Sequence, residues 1–252
     1  MDLPEMILFD YGHTLIYETG LNGIHGARAI LKYARYNKNN LSDKDVSEFS
    51  TKLFNEISLY ARNNGIEVHQ HMFQQMLYDY LDIGIDLTPL EMERIFWDHA
   101  SPGRPMPHTL ELLDYLNVHH IRTAVISNIS FSGEALSQRI NKLLPNNQFE
   151  FIMASSEYVY RKPNPILFEI ALKKANLTPD KVWFCGDNPI ADIQGAIATH
   201  IYPIWYDNPL ECPYRHTGLE PIIPESSYLH ITDWQELIEL LENASLSNHL
   251  TS

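Results

Sequence analysis

The amino-acid sequence predicts an α/β protein, a doubly wound parallel sheet carrying an inserted α-helical cap domain. Three observations carry that prediction. Apolar runs of strand length recur at residues 6–9, 122–126, 149–153, 182–185 and 201–205. From the second run onward they alternate with segments of helical period, the pattern of a parallel sheet covered on both faces. The first interval differs: from about Tyr17 to Trp97 it offers helix-like segments and no buried strand.

Taken in order, residues 6–9 form the first strand. Helical patterns follow at 24–36, 43–63 and 72–81, with Tyr33, Tyr36, Phe54, Tyr60, Phe73, Tyr78 and Tyr80 as helix-packing candidates. Pro102, Gly103, Pro105 and Pro107 then interrupt the pattern before a helix at 109–116 feeds the second strand. His119 and His120 fall where that helix ends, and a cation there suits the helix dipole. A further helix starts near Ile166, just after two prolines that preset its first turn. The polar end, 243–252, reads as frayed. The expected domains are a core of 1–16 and 98–252 with a cap of 17–97. An insertion directly after the first strand lies over the carboxyl ends of the strands, where open α/β sheets bind ligands, and so makes a natural lid.

Composition narrows the function. The 252 residues carry 18 basic and 32 acidic side chains, a net charge of −14. Sequence-independent nucleic-acid binding needs a basic face and is not expected. An anionic small substrate is admissible where a cation is placed locally. Cys185 and Cys212 are too few for a disulfide framework and fit no zinc spacing, so a cytoplasmic chain is expected. No basic leader, and no run of about 18 apolar residues, points to export or to a membrane. A chain of this length buries roughly 70–75% of its unfolded surface and needs no staples.

The strand ends carry the chemistry. The first runs into Asp10-Tyr11-Gly12-His13-Thr14, placing a carboxylate and a glycine turn at the ligand crevice. The second ends in Ser127-Asn128, a hydroxyl and an amide. Lys162 stands in Arg161-Lys162-Pro163-Asn164-Pro165. The fourth ends in Gly186-Asp187-Asn188-Pro189-Ile190-Ala191-Asp192, two carboxylates around one turn. Each has a plain reading as a cap, a turn or a surface residue. Together they form a set of nucleophile, donor, cation and metal carboxylates. His69 and His71 read as part of a solvated cap loop with no third metal ligand.

In Asp10, Ser127, Lys162 and Asp187 to Asp192, four motifs in order, the chain resembles the haloacid dehalogenase-like hydrolases with a helical cap after the first strand. The likeness spans nearly the whole chain and implies a Rossmann-like core. It implies a magnesium-dependent phosphatase that acts on a small phosphorylated metabolite through an aspartyl-phosphate on Asp10. Mg2+ would be held by Asp10, Asp187 and the backbone carbonyl of Gly12. Lys162 would pair with Asp10 and the phosphoryl oxygens. Ser127 and Asn128 would bind phosphate, and Asp192 would orient Lys162 or a metal-bound water.

One position departs from the pattern. Two residues after the nucleophile the phosphatases carry a second aspartate that transfers the leaving-group proton; here stands Gly12. Such acid–base help is typically worth about 100- to 10,000-fold. Three readings follow. His13 either takes that proton or packs against the cap. The substrate carries a good leaving group such as an acyl phosphate. Or the chain binds a phosphorylated ligand or partner without turnover. Phosphonatase chemistry would need a cap lysine among Lys32, Lys38, Lys44 and Lys52, none of which is marked by its sequence context. Dehalogenase chemistry needs no metal carboxylates.

Overall fold

The computed structural model describes residues 3–211 and 228–250. Cys212 therefore lies outside the described residues. Strand β1 (Met6–Phe9) leads through the loop 10–15 into a two-residue strand, β2 (Ile16–Tyr17). The insertion follows: α1 (Gly23–Leu31), β3 (Ala34–Asn37), α2 (Asp43–Asn63), α3 (Gln70–Tyr80), β4 (Ile83–Ile85) and α4 (Pro89–Ala100). The chain returns through β5 (Arg104–Pro105), which pairs antiparallel with β2. The core then runs α5 (Thr109–Val118), β6 (Arg122–Ser127), α6 (Gly133–Leu143), β7 (Ile152–Ala154), α7 (Ser155–Tyr158) and α8 (Pro165–Ala175). It closes with β8 (Val182–Gly186), a π-helical turn (Pro189–Gln194), α9 (Gly195–Ala198), β9 (Tyr202–Tyr206), β10 (Leu229–Ile231) and α10 (Trp234–Leu250).

The central sheet has six parallel strands in the order β10-β9-β8-β1-β6-β7. Successive side chains of a strand face opposite sides, and β1 shows it. Ile7 and Phe9 join Val125, Trp183 and Ile204 under α5, α6 and α10, while Met6 and Leu8 join Ala124, Ile126 and Phe184 under α8 and α9. Both faces are dry, which is why the strands read as apolar runs. A separate cluster that includes Ala27, Ile30, Val46, Phe73 and Leu77 holds the insertion together.

Several boundaries differ from expectation. The run at 149–153 becomes a strand only at Ile152–Ala154, and that at 201–205 starts one residue later. The helix expected over 24–36 stops at Leu31, and the next residues pair with β4 as a small antiparallel sheet. The insertion thus holds strands where none was expected. Three to four residues, half of them exposed in β3, leave too short an apolar run to see. Helix α4 was not foreseen, though Thr88 and Glu91 form the capping box that announces it. It carries the chain past Asp98, so the expected boundary falls inside a helix, and re-pairing with the core comes at Arg104. The segment from Asn243 onward, expected to fray, continues α10 to Leu250. His119 caps α5, its Nδ1 2.8 Å from the Tyr115 carbonyl oxygen. Phe73 and Tyr78 are buried, whereas Tyr60 and Tyr80 are mostly exposed.

The base of the insertion is pinned by buried charge. Arg139 of α6 donates to Glu18, to the Tyr11 hydroxyl and to the Ser101 carbonyl, and stacks on Trp97 at 4.4 Å. Tyr11 in turn donates to Glu18 at 2.6 Å. Burial raises the Tyr11 phenol well above its ordinary range, with Glu18 adding to it, so the hydroxyl stays a donor.

Candidate active site

The sheet delivers three chain segments to one place. Asp10 follows the last residue of β1, Ser127 ends β6, and Asp187 follows β8. Since β6 and β8 flank β1 in parallel, all three emerge on the same edge. Lys162 arrives from the segment between α7 and α8, where Asn164 caps α8 by accepting from the Ile166 amide.

Lys162 is 3% exposed, and its ammonium is surrounded by oxygen. Nζ lies 2.7 Å from Asp10 Oδ1, 2.7 Å from the Ile126 carbonyl and 2.7 Å from Asp192 Oδ1. Burial works against the charge, but Asp10 and Asp192 outweigh it and hold the pKa above its ordinary value. Asp192, 1% exposed, is the opposite case. Burial pushes its carboxyl up to about 6 against the attraction of Lys162, and Asp10 adds repulsion. Asp192 Oδ2 also accepts from the Asn188 amide at 2.9 Å, which ties the carboxylate to its own turn. A β-carbon on Gly186 would stand 2.4 Å from Asp192, so the close approach needs glycine at that position.

Asn128 was expected at the phosphate, yet its side chain holds Lys162. Its Oδ1 accepts from the Lys162 amide at 2.7 Å and its Nδ2 donates to the Lys162 carbonyl at 2.9 Å. Both ends of the amide thus fix the backbone that carries the ammonium. Ser127 is buried at the end of β6. His13 is 5% exposed with φ of 55°, its ring edge-on to Tyr17 at 5.7 Å. A β-carbon at Gly12 would meet nothing within 4 Å.

One carboxylate oxygen each from Asp10, Asp187 and Asp192 lies within 4.8 Å of the others. Three hard oxygen donors this close suit a hard divalent cation, which relieves their mutual repulsion. His69 and His71 do not sit in a solvated loop. His69 caps α3, and His71 Nε2 lies 2.6 Å from Glu93, which is fully buried and accepts from the Ser132 amide of the core at 3.0 Å. Sequence reasoning gave no role to Glu67, Glu93 or Arg161, all of which stand at the junction of cap and core.

The family model described as haloacid dehalogenase-like hydrolase matches residues 7–205. The chain belongs to the haloacid dehalogenase-like hydrolases. Among curated relatives of this HAD-like chain, a phosphoserine phosphatase of Thermus thermophilus is 32% identical over 36% of this chain and 33% of its own length. A glyceraldehyde 3-phosphate phosphatase of Pyrococcus furiosus is 26% identical over 58% of each. The match thus spans less than two thirds of either relative. A solved 2-haloacid dehalogenase from Pseudomonas syringae pv. Tomato DC3000 superposes with a TM-score of 0.62, 19% identity and coverage of 96% and 99%. At that identity the likeness is one of fold, shared by phosphatases and dehalogenases alike. Among the described residues no helix is long and apolar enough to cross a membrane.

Proposed function

We propose that this HAD-like chain is a magnesium-dependent phosphatase of a small phosphorylated metabolite, working through an aspartyl-phosphate on Asp10. The observation that carries the reading is the ammonium of Lys162 between Asp10 and Asp192, beside Asp187. A carboxylate attacking a phosphate meets like-charge repulsion, so a fixed cation and a metal site belong next to it. Asp10, Asp187 and the Gly12 carbonyl would hold Mg2+, and Asp192 would stand behind them. When bound, the ion supplies positive charge against the phosphoryl oxygens.

The residues then divide the work. An oxygen of Asp10 attacks phosphorus as the bond to the leaving oxygen breaks. Water next attacks the aspartyl-phosphate, releasing inorganic phosphate and the Asp10 carboxylate. Lys162 neutralises Asp10 and the phosphoryl oxygens in both steps, and Ser127 donates to one of those oxygens. Asn128 serves through its grip on the Lys162 backbone.

Gly12 brings no proton to the leaving oxygen. Of the two titratable residues flanking Gly12, Tyr11 donates its hydroxyl to Glu18, so an alcohol leaving group depends on His13 or on solvent. A leaving group that departs as a weak base, as from an acyl phosphate, needs neither. The phosphatase-named relatives and the paired Lys162 favour turnover over ligand binding alone. A cytoplasmic location and independence from nucleic acid and membranes fit the acidic composition.

The test is phosphate release from p-nitrophenyl phosphate, acetyl phosphate and sugar phosphates, with and without magnesium, beside Asp10→Asn. Magnesium-dependent release that vanishes in Asp10→Asn supports the reading. No release from any ester turns it toward ligand binding, and halide release without magnesium turns it toward dehalogenation. A pH–rate profile unchanged in His13→Ala removes His13 from the proton path.

A further inference from the structure

The segment that carries Lys162 is gripped from both sides. On the core side Asn128 clasps the Lys162 backbone, and Ser155 accepts from the Ile129 amide at 2.9 Å. On the other side stands the cap. The Glu67 amide donates to the Val159 carbonyl at 2.6 Å, the Arg161 amide donates to the Gly65 carbonyl at 3.0 Å, and Ile66 faces Tyr160 in an antiparallel bridge. The Glu67 side chain, 6% exposed, accepts from Ser155 Oγ at 2.8 Å and ion-pairs with Nη1 of Arg161, the residue before Lys162.

A second observation concerns the backbone inside this grip. Val159 has φ of 64° and ψ of −49°, a region that a β-branched residue avoids. Such a conformation persists only where its surroundings over-determine it. Here the bond from the Glu67 amide falls on Val159 itself, and the Glu67 carboxylate holds both Ser155 and Arg161 around it. The cap thus sustains a strained turn three residues before the site's cation.

We propose that Glu67 is a positioning residue that keeps the 155–162 segment in its strained form, so that Lys162 reaches Asp10 only while the cap is docked. This rests on the reading of Lys162 as the working cation. An undocked cap frees Val159 to relax, and the ammonium withdraws from Asp10. Cap closure and assembly of the charge cluster are then one event.

The proposal is tested with Glu67→Gln, using Glu93→Gln as the control. Glu93 is another buried carboxylate at the cap–core junction, bonded to His71 and Ser132 rather than to residues 155–162. We expect Glu67→Gln to lower kcat for acetyl phosphate about 10- to 100-fold, the scale of a displaced reacting group. KM should stay close to wild type and Glu93→Gln should retain kcat, while the thermal midpoint should fall in both variants, since each removes a charge from a buried contact. Amide hydrogen exchange of 158–162, followed in the same proteins, should speed up about tenfold or more in Glu67→Gln alone and needs no turnover. Equal kcat losses in the two variants, or unchanged exchange of 158–162 in Glu67→Gln, would overturn the proposal. A wild type with no activity but with faster exchange in Glu67→Gln would leave the latch standing and count against the phosphatase reading.

Discussion

The carboxyl group of Asp192 fills the space that a side chain on Gly186 would need, with Asp192 Cγ 2.4 Å from where that β-carbon would lie. The neighbour is buried and held by Lys162 and the Asn188 amide, so it has little room to give. Gly186→Ala is therefore expected to push Asp192 off Lys162. Overpacking of this kind costs roughly 1–3 kcal/mol, read as a lowered urea midpoint, and phosphate release should fall about tenfold or more, on the scale of a displaced reacting group. Full turnover in a destabilised Gly186→Ala protein would show that Asp192 need not touch Lys162.

Lys162→Met leaves Asp10 and Asp192 facing each other without their cation. Breaking a buried pair from one side costs roughly 3–5 kcal/mol. The expected loss is of that order in urea unfolding of the metal-free protein, and Asp192→Asn in the same background should restore part of it. No recovery would mean that repulsion between the carboxylates is not the source.

Gly12→Asp puts the missing carboxyl group where nothing lies within 4 Å of the new β-carbon. A fold with that room should accept it. Hydrolysis of sugar phosphates, whose leaving oxygen needs a proton, is expected to rise by about 100-fold, the low end for general acid–base help. Acetyl phosphate should change little. Equal effects on both substrates would separate the substitution from proton transfer.

The carboxyl of Asp192, pushed up to about 6 by burial, gives the metal-free protein a pH signature. Its unfolded value is about 3.9, so between about pH 4 and 6 the folded chain holds a proton that the unfolded chain has released. That contribution to stability is fully present below about pH 4 and is lost as the pH rises toward 6. In Asp192→Asn the urea midpoint should vary less across this window. An unchanged slope would assign the titration to another group.

Burial raises the Cys185 thiol well above its ordinary range. In a Cys212→Ser chain at pH 8, a thiol reagent should therefore leave the native protein untouched and modify one thiol per chain in denaturant. Fast labelling of the native form would place Cys185 nearer solvent than β8 allows.

The parts of this molecule legible in the sequence are those written in local period. Asp10, Ser127 and Asp187 follow or end strands that show as apolar runs, so their meeting at one edge of the sheet could be read before any coordinates. Strand β10, a Leu-His-Ile triplet with an exposed centre, has no such run. Contacts between distant segments leave no trace in composition or spacing. Glu67 and Arg161 are 94 residues apart, and each alone is an ordinary surface charge. The same holds for Glu18 with Arg139, 121 apart, and for the turn of the Asn128 side chain toward Lys162. Helix α4 is the instructive miss, because its capping box was written in Thr88 and Glu91.

Tyr17 pairs with Arg104, whose guanidinium lies 4.5 Å over the Tyr17 ring. The whole cap thus begins and ends at two neighbouring residues, and to the sheet it is a side branch on a narrow stem. The closure entropy of such a branch grows only with the logarithm of its length. A shorter or longer cap on the same stem would leave the register of β1 and β6 intact. This makes the cap an exchangeable cassette: its length can change without disturbing the sheet, provided that the replacement keeps the stem and the contacts of Glu18 with Arg139, Glu67 with Arg161 and Glu93 with Ser132.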